Sequence, residues 1–202
     1  IAAIQCQLEL YGDHNAQRAL EIAVAAGKRL PASLAGFADE TWRLRQCHGD
    51  ALTWLNRTKE AIPILSDSLA QARSAQARTP AEVDDLRLVS NWMLLGEAYI
   101  YDQDLPRAAR TLEQGYATIA ALLDADPANS RKTASLMAIS DDLASVYMSQ
   151  GRLAEALTIA ARAHQLATAA SERDPADMNA RKNKLSIARM VADLRARTGN
   201  GP

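Results

Sequence analysis

At 202 residues the chain can bury one large core or two small ones. Its net charge of −1 gives no overall signature of a nucleic-acid partner, and no stretch approaches the ~18 apolar residues that a membrane span needs. Apolar residues make up 48%, charged residues 23% and aromatics only 4%. That alanine- and leucine-rich mixture, with no long alternating Val/Ile/Thr run, favours helix and excludes a substantial sheet.

Apolar spacing and breakers predict helices at about 1–12, 15–29, 32–55, 58–77, 80–101, 105–124, 127–149, 152–172 and 175–198. The first carries Cys6 and Leu10 and is entered part-way along at Ile1, so the chain reads as a piece of a longer protein. The second carries Ala19, Ala23 and Ala26 and ends before Pro31. The third carries Cys47, His48, Gly49 and Leu52. Cys6 and Cys47 both fall on core positions and read as buried thiols, with a disulfide between them left open. The fourth carries Ala61 and Leu65, and Pro63 in its early turns is expected to bend or delay it.

Thr79-Pro80-Ala81-Glu82 reads as a capping box for the fifth helix, which bears Trp92-Met93-Leu94-Leu95-Gly96-Glu97-Ala98-Tyr99. Asp102-Gln103-Asp104 is a tight turn into the sixth, with Ala108 and Leu112. Asp126 and Asp174 read as N-caps, with Pro127 and Pro175 at the first helical positions of the seventh and ninth. The seventh carries Leu143, Ala144 and Tyr147, and Gln150-Gly151-Arg152 turns it into the eighth, with Ala156. The ninth carries Ala188, Val191 and Ala192, with Gly199 beyond it. Residues 176–202 hold six basic side chains against Asp177 and Asp193, or +4, which reads as the solvated face of a closing helix.

A repeat underlies this order. Thr79-Pro80, Asp126-Pro127 and Asp174-Pro175 are spaced 47 and 48 residues apart, and Ala61, Ala108 and Ala156 keep the same steps. Each unit is then two antiparallel helices, with small residues where they cross: Gly49, Gly96 and Ala144 against Ala61, Ala108 and Ala156. Leu52, Tyr99 and Tyr147 fill the space between one repeat and the next. The repeats, about 1–30, 32–78, 80–125 and 127–173 with the closing helix 175–198, are taken as one domain over 1–202.

Trp92, Leu95-Gly96, Tyr99, Ala108 and Leu112 match the tetratricopeptide (TPR) pattern, with Leu112 in place of phenylalanine. The chain resembles TPR proteins over nearly its whole length, with both helices lengthened from a repeat of about 34 residues. The resemblance implies an all-α, right-handed superhelical solenoid. The long spacing with recurring Asp-Pro-Ala-Asn/Asp is similar to the C-terminal repeat regions of bacterial serine/threonine protein kinases, often membrane-anchored. That narrower likeness implies an extracytoplasmic, periplasmic location in preference to a cytoplasmic one.

No catalytic chemistry is legible. His14, His48 and His164 lie in different repeats without ligand spacing, and His48 reads as a satisfied core residue. Asp84-Asp85 and Asp141-Asp142 are adjacent, so on a helix they diverge by about 100°. No phosphate loop, nucleophile elbow, metal site or cofactor site is found. The resemblance implies a protein or peptide ligand in a concave groove. Counted in family register from Trp92, its lining is Arg43, Gln46, Asp50 and Trp54, then Met93, Glu97, Ile100 and Tyr101, then Asp141, Ser145 and Met148. The Lys/Asn/Arg cluster with which some family members clamp a terminal carboxylate has no counterpart here. A regulatory or scaffolding interaction module is the expected function, ahead of a self-associating spacer and a small-molecule sensor. Neither nucleic acid nor membrane is an expected partner of this segment.

Overall fold

The computed structural model describes residues 1–29, 38–78 and 85–199. Nine α-helices lie among them, with no strand: α1 Ala2–Gln7, α2 Ala16–Gly27, α3 Ala38–Trp54, α4 Thr58–Arg78, α5 Asp85–Tyr101, α6 Leu105–Ala125, α7 Ser130–Ser149, α8 Leu153–Arg173 and α9 Met178–Arg197. The expected helical starts near 32 and 80, the Thr79–Glu82 capping box and Pro31 lie outside the described residues. The chain divides into two compact units, Ile1–Asp104 and Leu105–Pro202.

In the first unit α1 packs on α2 and α3, α2 on α3, and α3 and α4 on α5. Cys6, Leu10, Ala19, Leu52, Ala61, Leu65 and Ala98 form its core, each at most 2% exposed. Gly49 shows how closely the hairpin crosses. A Cβ built on it would fall 2.5 Å from both Cγ and Cδ2 of Leu65. The sequence reading set Gly49 against Ala61; the side chain it meets is one turn further along α4, because Leu65 reaches back across the crossing. A buried pair ties α4 to α5, where Ser68 Oγ donates to Asn91 Oδ1 at 2.8 Å. α4 runs through Pro63, which is exposed and leaves the Lys59 carbonyl without its helical donor.

In the second unit α6 packs on α7, α7 on α8 and α8 on α9. Ala108, Leu112, Ile119, Leu136, Ala144 and Ala156 are fully buried. Ala61, Ala108 and Ala156 therefore occupy equivalent sealed positions on α4, α6 and α8. Tyr147 reaches from α7 to α6, donating its hydroxyl to Glu113 Oε1 at 2.8 Å, with the Arg152 guanidinium 3.9 Å from its ring centre.

The hairpin turns repeat one backbone solution. Asn56, Gln103 and Gly151 have φ of 57°, 61° and 74°, each two residues past the end of a helix. In each turn the following N–H closes back on the carbonyl of Leu52, Tyr99 or Tyr147, at 2.8, 2.9 and 2.8 Å. This six-residue closure is the Schellman arrangement that the left-handed residue permits.

Three expectations are corrected. First, Asp126 and Asp174 do not cap helices. Asp126-Pro127-Ala128-Asn129 and Asp174-Pro175-Ala176-Asp177 are β-turns, closed by Asn129 N to Asp126 O at 3.2 Å and Asp177 N to Asp174 O at 3.1 Å. Proline sits at the second turn position, where its fixed φ fits and no N–H is needed. The caps are Asn129 and Asp177, whose Oδ1 atoms accept from Lys132 N and Ala180 N at 3.1 Å, so α7 and α9 start three residues later than expected.

Second, the first helix is not uniform: Leu8–Gly12 is a π turn, with Asp13 N bonded to Leu8 O at 3.0 Å. Third, Cys6 and Cys47 are not thiols. They form a disulfide of 2.07 Å, Cα atoms 6.3 Å apart, that joins α1 to α3. Both residues are buried as expected, but their facing one another depends on how α1 crosses α3, which local sequence does not encode.

Candidate functional site

The residues Arg43, Gln46, Asp50 and Trp54 recur every three or four positions and so share one face of α3. Their depth changes along it. Arg43 is half-buried, Gln46 is 6% exposed, Asp50 2% and Trp54 39%. The π turn ends α1 so that Tyr11 lies over this face, and its hydroxyl donates to Asp50 Oδ2. The Tyr11 ring meets Trp54 edge-on, with centroids 6.0 Å apart. The His14 ring stacks on Trp54 at 6.2 Å, 10° from parallel.

The electrostatics follow from this packing. Burial pushes the Asp50 carboxyl up to about 6, opposed only in part by the hydrogen bond from Tyr11. Tyr11 is raised well above its ordinary value, first by burial, then by the charge and hydrogen bond of Asp50, and last by the charge of Glu97 from α5. Asp50 and Glu97, two of the expected groove residues, therefore act on one hydroxyl. Gln46 Nε2 is buried with no hydrogen-bond partner among the described residues.

Of the other expected residues on α5, Met93 and Ile100 are half-buried and Tyr101 is 48% exposed. In the second unit, Asp141 on α7 lines a cleft with Met137 and Ala138 opposite Asn183, Ser186 and Ile187 of α9. Ser145 and Met148 line another with Arg197. Desolvation raises the Asp141 carboxyl, and it carries Asp142 to about 6 with a further push from the charge of Asp141. Among the described residues, no three His, Cys, Asp or Glu side chains gather as a metal site. His48 is half-buried, and burial lowers its imidazole below the ordinary value.

Sequence reasoning missed Tyr11 and His14. A signal was present: Ile1, Ile4, Leu8 and Tyr11 form a second apolar stripe at helical spacing beside the buried Ala3, Cys6 and Leu10. All four are exposed, at 86%, 56%, 60% and 49%.

The whole arrangement superposes on nearly identical TPR-like repeats from a proposed kinesin light chain of Podosopora anserina. The TM-score is 0.70 at 17% identity, over 98% of this chain and 85% of that one. The fold is TPR-like. The Q17M form of the same protein gives the same TM-score at 18% identity, with the same shares covered. No protein-family model matches the chain, and no curated protein matches it. In TPR-like terms α1, α3, α5, α7 and α9 are the first helices of their hairpins.

Proposed function

We propose that the chain is a protein- or peptide-binding module that carries no reaction of its own. The observation that most supports this is the face of α3 in the first unit. Exposed rings at Tyr11 and Trp54 lie beside a buried carboxylate with a single donor among the described residues, and a buried amide nitrogen with no acceptor among them. Rigid aromatic anchors beside a few desolvated polar groups are the make-up of binding hot spots. Such a face discriminates among partners because a wrong one leaves the polar groups unpaired.

The regulatory or sensing role within a larger protein, with the bacterial kinase and periplasmic setting, rests on the Asp-Pro-Ala-Asn/Asp spacing and on nothing in the packing. Among the described residues no helix is long and apolar enough to cross a membrane. Self-association is the second reading, favoured by the exposed Ile1, Ile4 and Leu8 on α1.

The test starts from peptides selected against the chain from a random displayed library, titrated by anisotropy. Trp54→Ala with Tyr101→Ala, both exposed positions, is expected to weaken binding at least about tenfold, the cost of losing one aromatic anchor. Its sedimentation should match the parent's. Unchanged peptide affinity together with altered sedimentation would reject the binding module in favour of self-association.

A further inference from the structure

We propose that the face of α3 that meets Tyr11 is a subsite for a cationic side chain, the arginine or lysine of a protein segment that sets apolar residues on Ile4 and Leu8. This rests on the binding-module reading and gives it a ligand chemistry.

The argument starts from an unbalanced charge. Asp50 is 2% exposed, and among the described residues no basic group compensates its carboxylate; the effects acting on it are burial and the Tyr11 hydrogen bond. Arg43, on the same face of α3, lies two turns away and its charge acts on Glu40. Glu97 adds a second negative charge near the Tyr11 hydroxyl. A carboxylate held out of water without a counter-ion is costly, and a ligand cation that reaches it relieves that cost. An acid or a neutral donor does not.

Shape agrees with charge. Asp50 Oδ2 takes the Tyr11 hydroxyl, while Oδ1 accepts no hydrogen bond among the described residues. An ammonium or guanidinium has donors for that oxygen. Tyr11 is the cover, its hydroxyl on Asp50 and the residue 49% exposed, so a ligand donor reaches the carboxylate by taking that hydroxyl's place. One turn back on α3, the unpaired Gln46 Nε2 wants an acceptor. The main-chain carbonyl of an extended segment supplies one. Ile4 and Leu8 continue from Tyr11 along the first helix, at 56% and 60% exposure, and give the neighbouring residues of the segment an apolar floor.

The full 202-residue chain is used to select from a displayed library of random heptapeptides, and the recovered peptides are titrated by Trp fluorescence. The expected result is one position enriched in Arg or Lys over Asp or Glu. Asp50→Asn keeps an acceptor for Tyr11 but removes the charge. It should weaken the basic peptide about tenfold, the difference between a charge-assisted and a neutral hydrogen bond. A norleucine analogue of that peptide should bind parent and variant alike. Glu97→Gln should weaken the basic peptide in the same direction, and thermal melts of both variants check that the fold is intact.

Peptides that bind and are lost in the Trp54→Ala, Tyr101→Ala variant, yet show no basic preference, overturn the cation subsite and leave the binding module standing. Recovery of no peptide that depends on this face overturns both. Equal weakening of the basic and norleucine peptides by Asp50→Asn would assign Asp50 a structural role and refute the subsite.

Discussion

Reduction of the Cys6–Cys47 disulfide is the perturbation whose size the structure fixes most directly. The bridge joins residues 41 apart. In the chain-entropy treatment a closed loop of that length removes about 4 kcal/mol of unfolded-state freedom at 25 °C. The first unit should lose up to that amount on reduction, without loss of any helix. All three tryptophans, Trp42, Trp54 and Trp92, belong to that unit. Tryptophan emission in a urea titration therefore reports it alone. With a urea dependence of about 2 kcal/mol per molar, the midpoint should fall by about 2 M when a phosphine reductant is present. A Cys6→Ala, Cys47→Ala variant should behave like the reduced parent and ignore the reductant. Coincident transitions for oxidised and reduced protein, with the bond confirmed by mass, would refute the loop-entropy account. The crosslink would then constrain nothing that the hydrophobic packing does not already hold.

Three further outcomes are expected. Gly49→Ala gains about 1 kcal/mol of helix propensity but forces a methyl into Leu65, at about 1–3 kcal/mol; calorimetry should show a net loss, and a raised Tm would mean that Leu65 has room to turn. Gln103→Gly relieves a left-handed residue worth roughly 1 kcal/mol. It should stabilise the protein, whereas the same change at a right-handed helical site should not. Asp50 is raised to about 6, so its contribution to stability is fully present below its ordinary unfolded value near 3.8 and is lost as pH rises through 6. Asp50→Asn should therefore exceed the parent in stability at pH 7.5, by up to about 3 kcal/mol, with the advantage gone near pH 4. Denaturant melts across that range would contradict the assignment if the difference stayed constant.

The long-range period was legible because it is written in small residues and breakers. Ala61, Ala108 and Ala156 keep the step of the prolines, and the structure seals all three. The turn at Gln103 was placed from its flanking aspartates, though nothing local shows that a glutamine rather than a glycine takes positive φ there. The caps of α7 and α9 were misplaced because Asp126 and Asn129 both carry a capping oxygen three residues apart. Only the turn hydrogen bond decides which one starts the helix.

The candidate site was read in outline and missed in depth. Register put Gln46, Asp50 and Trp54 on one stripe, but register cannot say that the two polar members are sealed while the tryptophan is exposed. Asp50 is met there by Tyr11, and Tyr11 is carried to it by a π turn whose wider hydrogen-bonded loop leaves no trace in apolar spacing. The disulfide could only be left open, for a similar reason. Its partners meet across two helices forty residues apart in the chain, a relation set by tertiary packing.

The short reversals at Asn56, Gln103 and Gly151 have a consequence for how such a chain diversifies. Each spends only three residues between helices, with no slack for an insertion to grow into a recognition loop. New specificity must then come from point changes on the helical surfaces, one side chain at a time. A lineage built this way alters its binding preferences while the spacing of its backbone stays put.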